Sequence, residues 1–152
     1  MVVAVIGILA AVLLNALHFV QEKAERTVME ATVRNMERGL DILARTRVIH
    51  GQEGAIRDLV GANPVQWLES PPEGYTGNCK QERAPGEWCF DAATHEIVYR
   101  PRLEGSLEYR EAGRRELRWR VASAGEIAAR QSAGPASSGA VGLFSTTSFV
   151  WH

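Results

Sequence analysis

Cys79 and Cys89 are the only two cysteines of the chain, and they enclose Lys80-Gln81-Glu82-Arg83-Ala84-Pro85-Gly86-Glu87-Trp88. Two thiols at this spacing have two chemistries open to them. Oxidised, they close a loop whose chain entropy amounts to ~2–3 kcal/mol in the loop-closure account, and they pin an irregular segment to whatever follows Cys89. Reduced, they are small side chains of a cytosolic protein. Nine intervening residues exclude a C-x-x-C redox pair, and without a neighbouring pair of histidines they make a poor metal site. The four histidines, His18, His50, His95 and His152, fall in different segments and form no spaced pair. They are expected as exposed or helix-end side chains rather than ligands or bases. No G-x-S-x-G nucleophile, G-x-G-x-x-G or phosphate loop occurs. No catalytic, cofactor-binding or metal-ligating residue is therefore assigned, and neither an enzyme, a cofactor nor a small-molecule substrate is expected.

The remaining candidate chemistry is electrostatic. Residues 100–120 hold Arg100, Arg102, Arg110, Arg114, Arg115, Arg118 and Arg120, offset by Glu104, Glu108, Glu111 and Glu116. With Tyr99, Tyr109 and Trp119 nearby, such a patch could attract DNA or an acidic partner. The simpler reading, preferred here, is a solvated sheet face with cross-strand Arg–Glu pairs. The formal net charge of −1 and a pI near 6.4 give no global pull toward nucleic acid or anionic lipid.

The elements that must position these groups begin with Met1 to Val20, MVVAVIGILAAVLLNALHFV, which carries no charge and no Pro. About 20 apolar residues suffice to span a bilayer. A signal peptide would want a positive n-region and a small-residue cleavage site, and a core helix apolar all round would need complete enclosure. A membrane anchor is the expectation for residues 1–20. Strong helix formers follow without a break. Met29, Val33, Met36, Leu40 and Leu43 then repeat at 4-3-4-3, one stripe of an amphipathic continuation over residues 21–50. The pairs Glu22–Arg26 and Glu30–Arg34 are expected on its wet faces. The stop is expected near His50-Gly51, giving a rod of roughly 75 Å. The stripe spans about two heptads, which suits a face for a small domain better than a coiled-coil seam.

Residues 51–121 are expected to form that head. A short helix from Gln52 or Glu53 to Val60 precedes a break at Gly61-Ala62-Asn63-Pro64, and Ser70 to Tyr75 reads as a fixed loop. Trp88–Asp91 and Glu96–Arg100 read as a hairpin with a four-residue connection. Leu107–Arg110 and Glu116–Val121 read as a second pair around Ala112-Gly113. The fold class predicted is α+β: a long helix packed on an antiparallel sheet of about four strands. Residues 122–152, rich in Ala, Ser and Gly, are expected to be a flexible tail, with Phe144 to Trp151 apolar enough to add an edge strand or remain a sticky end.

Val3-Ala4-Val5-Ile6-Gly7-Ile8-Leu9-Ala10-Ala11-Val12 resembles the N-terminal helix of type IV pilins and type II secretion pseudopilins. Asn63-Pro64, Pro71-Pro72, Tyr75-Thr76-Gly77, Pro85-Gly86-Glu87-Trp88, Phe90-Asp91 and Ile97-Val98-Tyr99-Arg100-Pro101 follow in the order of such head domains. The likeness covers roughly residues 1–121. It implies a structural subunit held in the bacterial inner membrane with its head in the periplasm, partnered first by lipid and then by other pilin-like subunits in a filament. Val5, Ile6, Gly7, Leu9, Ala10, Ala11 and Leu14 are the implied helix–helix assembly residues, with small side chains permitting close approach. The family normally carries a short basic leader ending in Gly, then Phe and, a few residues on, a Glu. The expectation is that this first turn or two precedes Met1, so the docking role of that Glu falls on no residue here. The rival expectations are a single-pass anchored periplasmic binding domain that never polymerises, and a secreted enzyme with an N-terminal signal.

Overall fold

The computed structural model describes residues 2–111, 113, 115–130 and 141–152. A single helix, α1, runs from Val2 to Ile49. Nothing in its sequence interrupts it: there is no Pro, and the exposed faces carry i,i+4 pairs. Arg26–Glu30 lie at 2.8 Å, Glu30–Arg34 at 3.6 Å and Asp41–Arg45 at 2.9 Å, each worth a few tenths of a kcal/mol at about 0.2–0.5. The end is a Schellman cap. Gly51, at φ 68, donates its N–H to Val48 O at 3.0 Å, and Gln52 donates to Arg47 O at 2.8 Å. At 1.5 Å per residue the rod is about 70 Å long.

A 3-10 helix at Glu53–Leu59 then turns Ile56 and Leu59 into the core. A second 3-10 turn, Pro64–Trp67, starts with Asn63 Oδ1 accepting from the Val65 amide at 3.1 Å. It packs onto α1 at Gly39, where a Cβ would lie 3.2 Å from Trp67 O. The helix-propensity cost of that glycine, roughly 1 kcal/mol, is offset by this close approach.

Seven strands follow: β1 Tyr75–Asn78, β2 Trp88–Asp91, β3 Glu96–Tyr99, β4 Leu107–Tyr109, β5 Leu117–Ser123, β6 Val141–Ser145 and β7 Phe149–Trp151. Five form a sheet in the order β1-β2-β3-β5-β6, and β4 pairs with β7 in a separate ribbon. The β2–β3 hairpin has the expected connection, with Asp91 facing Glu96. Asp91 Oδ1 accepts from the Ala93 amide at 3.1 Å and the Thr94 amide at 3.4 Å, shaping the turn.

The α+β class holds, but several pairings differ from expectation. β1 runs parallel to β2, so the sheet is mixed, and Tyr75, the end of the expected Ser70–Tyr75 loop, begins a strand. Leu107–Tyr109 does not pair with the strand that follows it. β5 lies between β3 and β6, because alternation buries Leu117, Trp119 and Val121 and suits a central strand. β4 instead meets β7, with Leu107 opposite Trp151. The expected flexible tail is in part ordered. Ala122 and Ser123 finish β5, a short helix α2 spans Ala124–Arg130, β6 begins at Val141 before the apolar end, and that end supplies β7. Residues 131–140 of that tail lie outside the described residues.

The core lies between α1 and the sheet. Met29, Met36 and Leu40 are buried, and Val33 and Leu43 pack partly buried against the same clusters. Opposite them an aromatic ladder crosses the strands. Trp88 stacks on Tyr99 at 4.5 Å and on Trp119 at 5.7 Å, and Phe149 meets Trp119 edge-on at 6.3 Å. Such pairs contribute about 0.5–1.5 kcal/mol beyond area burial.

One crossing of the backbone admits no side chain. Gly74 has φ 78, and a Cβ there would sit 2.4 Å from Gly86 O. Gly74→Ala is expected to destabilise the head by more than the ~1–2 kcal/mol of a left-handed residue alone, because the Gly86 backbone must also move. Gly77→Ala, at φ 84 with open space around its Cβ, should show only the smaller cost. Urea unfolding followed by tryptophan fluorescence distinguishes them; equal midpoints would show that the crossing is not constrained.

Candidate functional site

The first half of α1 is not packed against any of the described residues of the head. Every residue from Val3 to Val20 is exposed, including Val5, Ile6, Gly7, Leu9, Ala10, Ala11 and Leu14. Leu13 is 71% exposed, and no atom lies within 4 Å of a Cβ built on Gly7. The helix is long and apolar enough to cross a membrane. The eleven large apolar side chains in this stretch would each gain about 1.5–3 kcal/mol from burial. Their sum exceeds the usual stability of a domain, roughly 5–15 kcal/mol, so burial of the stem would be strongly favourable.

The second half is clamped, and two carboxylates do the clamping. Glu22 is 8% exposed. Its Oε1 accepts from the Ser106 amide at 2.6 Å and from the Trp151 indole N–H at 3.1 Å, and its Oε2 accepts from the Ser106 hydroxyl at 3.2 Å. One turn on, Glu25 accepts from the Tyr99 hydroxyl at 2.7 Å and the amides of Arg102 at 2.6 Å and Leu103 at 3.0 Å. Burial first, and then the Glu25 carboxylate, push the Tyr99 phenol well above its ordinary range. The Arg26 guanidinium donates to Trp151 O and to Glu30. The expected Glu22–Arg26 surface pair is thus not made: Glu22 belongs to the head and Arg26 to Glu30 and the β7 backbone. Beside the clamp a cleft of about 520 Å³ is lined by Ala24, Glu25, Val28, Tyr99, Arg102 and Leu103.

On the outer face of the sheet, Cys79 and Cys89 form a disulfide. The loop it closes reaches over the arginine-rich strands. Arg83 donates to Glu116 and to Lys80 O, and Arg100 donates to Arg83 O. Arg118 sits at the centre, bonded to Asp91 at 3.2 Å, Glu96 at 2.9 Å and Glu116 at 3.1 Å. Burial opposes ionisation of Asp91 and Glu96, but Arg118 and neighbouring donors outweigh it and hold both carboxyls below their ordinary range. This is the cross-strand pairing expected of a sheet face, more buried than expected and tied to the disulfide loop.

The histidines stay apart. His18 is exposed on the stem, His50 Nδ1 lies 2.7 Å from Thr46 O, His95 Nδ1 lies 3.1 Å from Gly61 O, and His152 lies 3.7 Å from Glu108. Among the described residues no group of three His, Cys, Asp or Glu side chains is placed to hold a metal ion. Compared with known proteins, the chain matches no family model, no curated protein and no solved structure.

The clamp carries a direct test. Glu22→Gln replaces one acceptor oxygen with an N–H that faces other donors, and about 1–3 kcal/mol of head stability is expected to go with it. Hydrogen exchange should accelerate at the Ser106 amide and the Trp151 indole before it does in β3. Unchanged exchange at both sites would mean the carboxylate does not hold the head.

The arginine network carries another. Because the native values of Asp91 and Glu96 lie below the ordinary carboxyl value of about 4, their contribution to stability is complete above that pH and is lost as pH falls through the native values. Arg118→Leu removes the guanidinium from Asp91 and Glu96, while Glu116 keeps Arg83, and is expected to cost about 3 kcal/mol at neutral pH. The variant should then lose less than the wild type on acidification below about pH 4. Parallel stability–pH curves for the two proteins would contradict this account.

Proposed function

We propose that the chain is a pilin-like structural subunit that assembles through its N-terminal helix into a type IV pilus or type II secretion pseudopilus. The observation that carries the proposal is the division of one unbroken helix, α1 from Val2 to Ile49. Its apolar half is free on all faces, and its amphipathic half is seated on a β-sheet head. In the bacterial inner membrane, lipid covers the stem and the head lies in the periplasm, an oxidising compartment that suits the Cys79–Cys89 disulfide. On assembly, stems exchange lipid for one another. Val5, Ile6, Leu9 and Leu14 supply packing area, while Gly7, Ala10 and Ala11 let helices approach closely. The work is assembly rather than turnover, and the head forms the outer wall.

A photoreactive amino acid in place of Leu9, with the full chain in the inner membrane of cells expressing a filament machine, should give a ladder of cross-linked copies on irradiation. Gly7→Leu should shorten the ladder by blocking close approach. A subunit that stays embedded in the membrane and cross-links only to lipid would instead support an anchored domain that does not polymerise. A stem removed by cleavage near Gln21 would support an exported soluble protein.

A further inference from the structure

We propose that the base of the head is a membrane-contact surface, on which Lys23 and Arg102 meet lipid phosphates while residues 102–106 lie in the headgroup layer. This rests on the anchoring part of the proposed function and adds a lipid site that assembly does not require. The argument starts from axial distance. The apolar run ends at Val20 and Glu22 is two residues further on, about 3 Å along a helix axis. Headgroup regions make up the difference between a hydrocarbon core of about 30 Å and a bilayer of about 40–45 Å. The layer on each side is therefore thicker than the gap. Glu22 holds Ser106 directly by two hydrogen bonds, and Glu25 holds Arg102 and Leu103, so this loop enters the headgroup layer wherever the apolar run fills the hydrocarbon.

The charges at this level are sorted by the same contacts. Glu22 and Glu25 point into the head, each satisfied by three donors, which directs their charge away from the lipid. Glu104, half-buried, lies against the Tyr109 phenol, while Glu108, 3.7 Å from His152, and Glu73, which lines the cleft with Arg102, are exposed acids of the same region. Of the two cations, Lys23 takes the opposite course and Arg102 is left exposed. Lys23 is exposed and folds back so that its ammonium lies 4.5 Å from the centre of the Phe19 ring. Helical side chains lean toward the N-terminus, and here that lean carries a positive charge one turn down, to the edge of the apolar run. A lysine with its stem on apolar surface and its head among phosphates is the favoured interfacial arrangement. Arg102 is exposed on the same base, its guanidinium lying over Gly86, where a Cβ would collide with it.

The test uses the full chain in nanodiscs containing phosphatidylglycerol and a lipid with a nitroxide on its headgroup. Amide signals of residues 102–106 should broaden several-fold more than those of the Ala92–His95 turn. That turn contacts Gly61 beside the Leu40 layer, eighteen residues above Glu22 and so about 27 Å higher along the axis. In the variant Lys23→Gln with Arg102→Gln, both changes on exposed side chains, the loop should keep its depth, while the extra broadening seen when the nitroxide is carried by phosphatidylglycerol rather than by a zwitterionic lipid should fall by at least half. Equal broadening of loop and turn in embedded protein would overturn the proposal while leaving anchoring intact. An unchanged preference for phosphatidylglycerol in the double variant would overturn the phosphate assignment. Failure of the chain to enter discs at all would overturn the anchoring on which it rests.

Discussion

A carboxylate taken out of water must be met by donors, and Glu22 imposes that constraint on the whole head. Leaving such a group unmatched costs several kcal/mol, a large part of what a domain of this size has. Its donors, with those of Glu25, come from Tyr99, Arg102, Leu103, Ser106 and Trp151. The end of β3, the loop before β4 and the last strand must therefore be in place together. Apolar packing of Met29, Met36 and Leu40 against the sheet gives most of the attraction, but it is non-directional. Two carboxylates one turn apart on the same helix face supply what packing does not: a fixed height and a fixed rotation of the head on its stem.

The outer face of the sheet has a parallel logic. Three acidic side chains converge on Arg118, and Arg83 arrives from the disulfide loop to share Glu116. A loop of irregular backbone would not stay over a sheet for the sake of one ion pair. Cross-linking it at Cys89 in β2, with the Gly86 amide bonded to Arg100 O and the Arg100 amide to Glu87 O, holds it there from both ends. The disulfide thus seals the side of the sheet that α1 does not cover.

Local features of this architecture were legible in the sequence and non-local ones were not. The β2–β3 hairpin could be read because its two alternating runs flank a short connection. The buried stripe of α1 could be read because its period is helical. The parallel β1–β2 pair and the β4–β7 ribbon depend on partners separated by loops or by most of the C-terminal third, and nothing in Leu107–Tyr109 by itself names Trp151 as its neighbour. Periodicity places Glu22 on a wet face because it sorts residues by type rather than by partner. A signal was nevertheless present: Glu22, Met29, Met36 and Leu43 lie on one seven-residue line. An acid that continues an apolar stripe invites the question of what donates to it, and the apolar, tryptophan-bearing C-terminus was the unassigned candidate.

The position of the clamp also decides how motion of the stem reaches the head. Had a Gly/Ser linker separated the apolar run from the first head contact, the head would sample many orientations and the stem would be only a tether. Here the helix carries no Pro, and the clamp begins two residues after Val20, so no flexible joint separates the two halves. The covering of the stem then dictates the placement of the head. In a bilayer the depth of the apolar run sets the height of the base loop. In a bundle of stems the rise and rotation between neighbouring helices would be carried directly into the spacing of heads. In the assembly proposed for this chain, a rigid coupling of this kind would make the clamp, rather than the apolar run alone, the feature that turns helix packing into a defined outer surface.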